Sequence, residues 1–180
     1  NGMVLYEGDS QGEVTENVMR RIQIRETIKT HIERERILFP KGIKVLSLFF
    51  IDHVENYRTY DDGDNGKGKF AEMFEEEYQR VLQELQPTFT DGAYTRYLSR
   101  FTVEQVHNGY FSKDKKGKFI DSKVKRGEAD SSDESAYDLI MKDKERLLSF
   151  EEPTRFIFSH SALKEGWDTP NVFQICTLKN

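Results

Sequence analysis

Ser159, His160 and Ser161 close an apolar run in the segment RFIFSHSALKEGWDTPNVFQICTL, and Gly166 and Asp168 come shortly after. Hydroxyls, an imidazole and backbone N–H groups at the end of a strand are the groups that meet a phosphate. Gly166 permits a close backbone approach or a positive φ. Asp168, beside Trp167 and ahead of Pro170, can accept hydrogen bonds from ribose hydroxyls or orient a cation. The plainer reading is a helical turn stopped by Gly166, with Asp168 capping the next element. A second polar group, Asp52, His53 and Asn56, comes after the apolar run of IKVLSLFFIDHVENYR. Its plainer reading is a helix start capped by Asp52.

Other chemistries fail on their residues. Gly63 to Lys69 matches G-x-x-x-x-G-K, but Phe70 stands where a Ser or Thr would hold magnesium, and Asp61, Asp62 and Asp64 would repel a phosphate. A calcium loop opened by Asp62 would place Gly66 and Met73 at ligand positions. With no H-E-x-x-H and a single cysteine, Cys176, a zinc site lacks donors. The acid-x-lysine pairs Asp114–Lys116 and Asp121–Lys123 fit a nuclease strand, but a chain that is 33% charged produces such pairs by chance. There is no G-x-S-x-G elbow. Ser159 and Ser161 flank His160, and neighbours on an extended segment point to opposite faces, so no serine triad assembles.

The elements that must position these groups alternate. Thr15 is predicted to start a helix with Val18, Ile22, Ile28 and Ile32 near one face, ended by Pro40-Lys41-Gly42. Ile43–Ile51 is apolar on both faces, as a central parallel strand must be when helices cover both sides. Phe70, Met73, Phe74, Tyr78, Val81, Leu82 and Leu85 recur at helical spacing up to Pro87. Residues 88–105 carry no clear period. Val106–Ser122 reads as a hairpin turning near Lys115-Lys116-Gly117. Ser131 and Glu134 form a capping box for a helix that includes Ala136, Ile140 and Leu147 and breaks at Pro153. Arg155–Ser159 and Val172–Leu178 are two more buried strands. Strands separated by helices give a parallel α/β sheet with right-handed crossovers. Ligands of such sheets sit beyond the carboxyl ends of the strands, where Asp52, His53 and Ser159 to Ser161 fall.

The 180 residues suit one domain, or one with a small appendage. Net charge is −5, unevenly spread: Lys113 to Arg126 carries seven bases against two acids, and Glu128 to Asp138 carries five acids and no base. The opposed blocks can neutralise each other, and a net-negative domain is a poor free-standing nucleic-acid binder. Aromatic content of 12% argues against low-complexity disorder. No stretch approaches the length of a membrane span. One cysteine and no signal peptide point to a reducing cytoplasm. Asn1 is not a native start, so the sequence reads as a piece of a longer protein.

Arg155 to Leu178 resembles the fifth conserved motif of superfamily two helicases, a strand followed by a polar pair and then Gly-x-Asp. His160 and Ser161 take the pair's places, and Gly166 and Asp168 match the Gly-x-Asp. Ile43 to Arg58 is similar to the fourth motif. VHNGYFSKDKKGKFIDSK and SAYDLIMKDKERLLSFEEPTRFIFSHSALKEGWDTPNVFQICTL resemble one branch, the restriction subunit of bacterial type III restriction-modification enzymes, and MRRIQIRETIKTHIERE fits as well. The resemblance is strong over residues 106–178, fair over 15–58 and weak between.

It implies the second RecA-like domain of an ATP-dependent, DNA-translocating endonuclease. The fold would be an α/β, RecA-like parallel sheet flanked by helices, with an inserted β-hairpin and without a phosphate loop of its own. Residues 1–14 would lead in from a preceding domain and 15–180 would form the motor domain, stopping before the arginine-bearing sixth motif. By the resemblance, Gly166 and Asp168 lie at the ATP cleft, and Ser159, His160, Ser161, Asp52, His53 and Asn56 face the DNA backbone. Lys115, Lys116 and Lys118 are a possible basic patch. ATP and Mg²⁺ would serve the whole enzyme, with S-adenosylmethionine on a methyltransferase partner subunit, and the nuclease domain would lie elsewhere in the chain. The fragment alone is expected neither to hydrolyse ATP nor to cut DNA. The rival class is a non-catalytic α/β module that docks a partner or nucleic acid through the hairpin and Trp167. It predicts no contribution to a nucleotide cleft.

Overall fold

Val45, Leu46, Leu48, Phe49 and Ile51 are all buried. A run apolar on both faces has no side to offer solvent, so it takes the middle of a sheet. The computed structural model describes residues 11–60, 66–89, 92–113, 119–121, 144–160 and 171–179. Within them β1 is Leu46–Phe50, β2 His107–Tyr110, β3 Ser112–Lys113, β4 Phe119–Ile120, β5 Phe156–Ser159 and β6 Val172–Thr177. The main sheet has the order β2-β5-β1-β6, with every neighbouring pair parallel. Its register aligns Tyr110 and Phe50 with Ser159, and Phe50 with Thr177, so all four strands end in one row.

Helices cover both faces, which makes this an α/β fold consistent with a RecA-like domain. Phe49, Phe156, Phe158 and Cys176 lie in the larger core with α1 (Gln11–Leu38) and α2 (Lys69–Leu85). On the opposite face Leu46, Leu48 and Ile157 pack with Leu147 of the short helix α4 (Lys144–Leu148), while α3 (Gly92–Leu98) adds Tyr94, Tyr97 and Leu98 to the larger core. α1 gives way to a 3₁₀ turn, Phe39–Lys41, closed by Gly42 at φ 72, a left-handed conformation that favours glycine.

The α2 stripe is as predicted: Phe70, Met73, Phe74, Tyr78 and Val81 are buried. The α1 face is not. Ile24, Ile28 and Ile32 are fully buried, whereas Val18 and Ile22 are about half exposed. Ile22 and Ile28 are six residues apart, which is about 240° around an α-helix, so they cannot share a narrow stripe. The outer face of α1 is instead polar and reaches across to α2. Arg21 pairs with Glu76 and Glu77, Arg25 with Glu77 and Glu84, and Lys29 with Glu84.

The hairpin is narrower than Val106–Ser122. His107–Tyr110 belongs to the main sheet as an edge strand beside β5, and the antiparallel pairing is confined to Ser112↔Ile120 and Lys113↔Phe119. Gly109 allows this edge to seat: a Cβ there would stand 2.6 Å from Tyr57 Cε1 and 2.5 Å from Phe111 Cε2. The helix expected from Ser131 is described only from Lys144, and its earlier residues lie outside the described residues.

Charge is also buried. Arg155, fully enclosed, donates to Glu35 at 2.5 Å and to the Tyr78 hydroxyl, and Tyr94 donates to Glu35 at 2.9 Å. His31 Nδ1 contacts Ser47 Oγ at 2.7 Å, and its Nε2 lies 3.6 Å from Glu35. Lys44 donates to the carbonyls of Leu147, Ser149 and Glu152, which caps the end of α4. Burial lowers its pKa to about 8 despite the nearby Glu152.

Candidate functional site

The chain leaves β1 toward β2 at one edge of the sheet and leaves β5 toward β6 at the other. β1 and β5 are neighbours, so their carboxyl ends mark the reversal point at which open α/β sheets hold ligands. Two loop starts meet there. After β1 come Asp52 and His53 and then a 3₁₀ turn, Val54–Asn56. After β5 comes His160.

The first loop is held by its own polar groups. Asp52 Oδ1 accepts from the His53 N–H at 3.0 Å and from Asn56 Nδ2 at 2.8 Å. Asp52 and Asn56 thus brace the turn. His53 is left pointing outward, with its side chain 59% exposed. The plainer reading, a helix start capped by Asp52, is not what forms: the element is a three-residue 3₁₀ turn with His53 at its N-cap and no side-chain cap bond, and Asp52 instead ties His53 to Asn56.

Asp121, the residue after β4, joins both loops. Its Oδ1 accepts from the Val54 N–H at 2.6 Å, and its Oδ2 lies 3.4 Å from His53 Nδ1. His160 Nε2 stands 3.9 Å from Oδ1, and His160 Nδ1 is buried without a hydrogen-bond partner among the described residues. Of the predicted site residues, the structure therefore brings His53 and His160 onto one carboxylate and places Asp52 and Asn56 directly behind. Ser159 is in the same row but is only 5% exposed. Ser161, Gly166 and Asp168 lie outside the described residues, as do Lys115, Lys116 and Lys118. Asp121 enters the sequence reading only as half of a chance acid-x-lysine pair; its contact with Val54 spans 67 residues, and no local spacing signals such a bond.

A second polar cluster sits behind the turn. Tyr57 hydroxyl and His107 Nδ1 are 3.0 Å apart, and His107 Nε2 is 3.2 Å from Glu75 Oε1. Lys67 donates to Glu75 at 2.6 Å. Burial pushes the Tyr57 pKa up. Burial alone would raise Glu75, but His107 and Lys67 hold it below the usual carboxylate value. The neutral arrangement is self-consistent: Tyr57 donates to Nδ1 and the Nε2–H donates to Glu75. These groups line a cavity of about 260 Å³ together with Arg58, Glu104 and Glu152. Their mutual bonds commit them to one another, so the cluster ties β2, α2 and the Val54–Asn56 turn together.

Among the described residues, no group of three or more His, Cys, Asp or Glu is arranged to hold a metal ion, and no helix is long and apolar enough to cross a membrane. What the rim can do is present two imidazoles and a row of strand ends to an anionic ligand.

No family model matches the chain. It is 42% identical over 161 residues to the Res subunit of the type III restriction-modification enzyme EcoP15I of Escherichia coli, a match covering 87% of this chain and 15% of that protein. Its homologues are Res subunits of type III restriction enzymes. The Res subunit of EcoPI, from Escherichia phage P1, matches at the same identity and coverage. That of StyLTI, from Salmonella typhimurium, is 33% identical over 181 residues, covering 87% of this chain and 17% of the relative. The chain thus spans 15% to 17% of these relatives' length. The resemblance read from VHNGYF to ICTL is therefore a likeness to one stretch of these Res subunits, and it takes in 87% of this chain.

Proposed function

We propose that this chain is the second motor domain of an ATP-dependent type III restriction endonuclease, and that its rim grips the DNA backbone during translocation. One observation carries the reading: His53 and His160, from loops after adjacent parallel strands, converge on one carboxylate at the sheet's carboxyl edge. Contacts made there go to phosphates and carry no sequence information. The chemistry is hydrogen bonding from imidazole and backbone N–H to phosphate oxygens, with Asp52 and Asn56 keeping the first loop in shape.

In the whole enzyme, bound ATP with Mg²⁺ supplies the free energy for opening and closing a cleft against the first motor domain. Gly166 and Asp168 are the residues of this chain proposed to face that nucleotide. The remaining partners are the nuclease domain of the same polypeptide and a methyltransferase subunit that binds S-adenosylmethionine, in a bacterial cytoplasm.

The test uses the full-length protein with its methyltransferase subunit. Replacing both His53 and His160 by glutamine is expected to raise the DNA concentration needed for half-maximal ATPase stimulation by about tenfold. That corresponds to about 1.4 kcal/mol, the scale of one charged hydrogen bond. An unchanged DNA requirement would remove the rim from DNA gripping and leave the docking-module class standing. Separately, Asp168→Ala should depress DNA-stimulated turnover, and unchanged turnover would take Asp168 out of the nucleotide cleft.

A further inference from the structure

We infer that Asp121 is a positioning residue of the DNA-facing rim: it fastens the exit of the β3–β4 hairpin to the loop after β1 and sets the two histidines at the spacing from which they meet the backbone. The inference rests on the proposed DNA-gripping role of the rim.

The geometry separates Asp121 from an ordinary structural acid. A carboxylate that serves only the core is enclosed, as Glu35 is. Asp121 is 47% exposed and sits at the surface where the strands end. Its shortest bond, 2.6 Å from the Val54 N–H, is charge-assisted and satisfies a donor at the start of the 3₁₀ turn. The same oxygen faces His160 Nε2 at 3.9 Å, and the other faces His53 Nδ1 at 3.4 Å. One side chain at the β4 exit thus bonds the β1 exit through Val54 and lies 3.9 Å from a ring nitrogen at the β5 exit.

The orientation it imposes has a use. His53 turns Nδ1 inward, which leaves Nε2 of a largely exposed ring for solvent or a ligand. His160 turns Nε2 inward and is left with Nδ1, which is buried and unpartnered among the described residues. Fixing one ring nitrogen of a histidine with a carboxylate so that the other is aimed is the logic by which outer residues orient functional imidazoles.

The experiment is a mutant cycle in the full-length protein with its methyltransferase subunit, read as the concentration of a duplex oligonucleotide giving half-maximal ATPase stimulation. Asp121→Ala is expected to raise that concentration about fivefold. In the His53→Gln/His160→Gln background the same change should add nothing, because the groups it positions are gone. Asp121→Asn, which keeps an acceptor for Val54, should recover part of the loss. Additive losses in the cycle would show a merely structural role and overturn the inference. So would a histidine-pair defect with no effect of Asp121→Ala. If the histidine pair itself has no effect, the DNA-gripping reading fails first and takes this inference with it. Should the alanine variant fold poorly, the cycle is run with Asp121→Asn alone, and full DNA affinity combined with an altered histidine-pair background is the result that contradicts it.

Discussion

Gly68 governs how closely the start of α2 approaches the turn that presents His53. Its N–H donates to Tyr57 O at 2.9 Å, and a Cβ at this position would fall inside van der Waals contact with the backbone of Glu55 and Asn56. A flexible side chain could move aside; a peptide group in a braced turn cannot. Gly68→Ala is therefore expected to destabilise the protein by about 1–3 kcal/mol, the usual range for forcing extra volume into a packed site. Chemical denaturation measures it, and a midpoint equal to the parent's would mean that the turn and helix can separate freely. Because the displaced atoms belong to the 3₁₀ turn, the same variant should weaken DNA-stimulated ATPase if His53 works as proposed. Side chains at this rim thus depend on a residue that has none, which explains why a search for reactive groups does not find it.

At the level of elements, the buried Arg155–Glu35–His31 network locks β5 to α1, and its protonation makes the packing sensitive to acid. His31 is wholly enclosed, and that burial lowers its pKa from 6.5 against the pull of Glu35. For Glu35, burial alone would raise the pKa, but Arg155, with His31 and Tyr94, holds it down to about 2. In the unfolded chain these groups take up protons near 6.5 and 4.5; in the folded chain they resist until lower pH. The unfolded state then binds more protons, so stability is full above pH 6.5 and falls as pH drops through 6.5, and further between 4.5 and 2. Urea midpoints taken from pH 7 to pH 3 should show this decline. Glu35→Gln should lower stability at neutral pH by about 3–5 kcal/mol, since Arg155 loses its counter-charge, and should flatten the lower limb. A variant with the parent's acid limb would assign the effect to other carboxylates. The network also shows where sequence reading stops. The strands at β1 and β5 and the α2 stripe were legible because periodicity and unbroken apolar runs are local. Arg155 reads from sequence only as the first residue of a buried strand, because nothing near it announces a partner 120 residues away. β2 lies within the stretch read as a hairpin, but its partner was not legible: His107-Asn108-Gly109-Tyr110 pairs in parallel with the distant β5 and not with the returning arm. At the rim, His53 and His160 were legible from their place after apolar runs, whereas their convergence on Asp121 depends on how the hairpin returns.

For the molecule as a whole, the proposed DNA grip must be reconciled with a net charge of −5. Non-specific affinity grows from neutralised phosphates, each lowering log K by about 0.9 per decade of salt on duplex DNA. A net-negative surface cannot supply this by its average field, so the positive charge must be concentrated where the backbone passes. The sequence places Lys115, Lys116 and Lys118 between β3 and β4, and those lysines lie outside the described residues, but the strand after them ends in Asp121 at the rim. The bond from Asp121 to Val54 holds the residue after β4 beside His53. If the lysines meet phosphates, reversing all three to glutamate in the full-length protein should weaken DNA binding and reduce the salt slope by about 2 to 3, since each lost contact removes about 0.9. Binding titrations at several salt concentrations measure both quantities together. A weaker affinity with an unchanged slope would mean that the lysines act through a protein partner, and the methyltransferase subunit's affinity would then be the quantity that shifts. A slope lowered without loss at the histidine pair would separate the hairpin from the rim, making them two independent DNA contacts rather than one surface joined through Asp121.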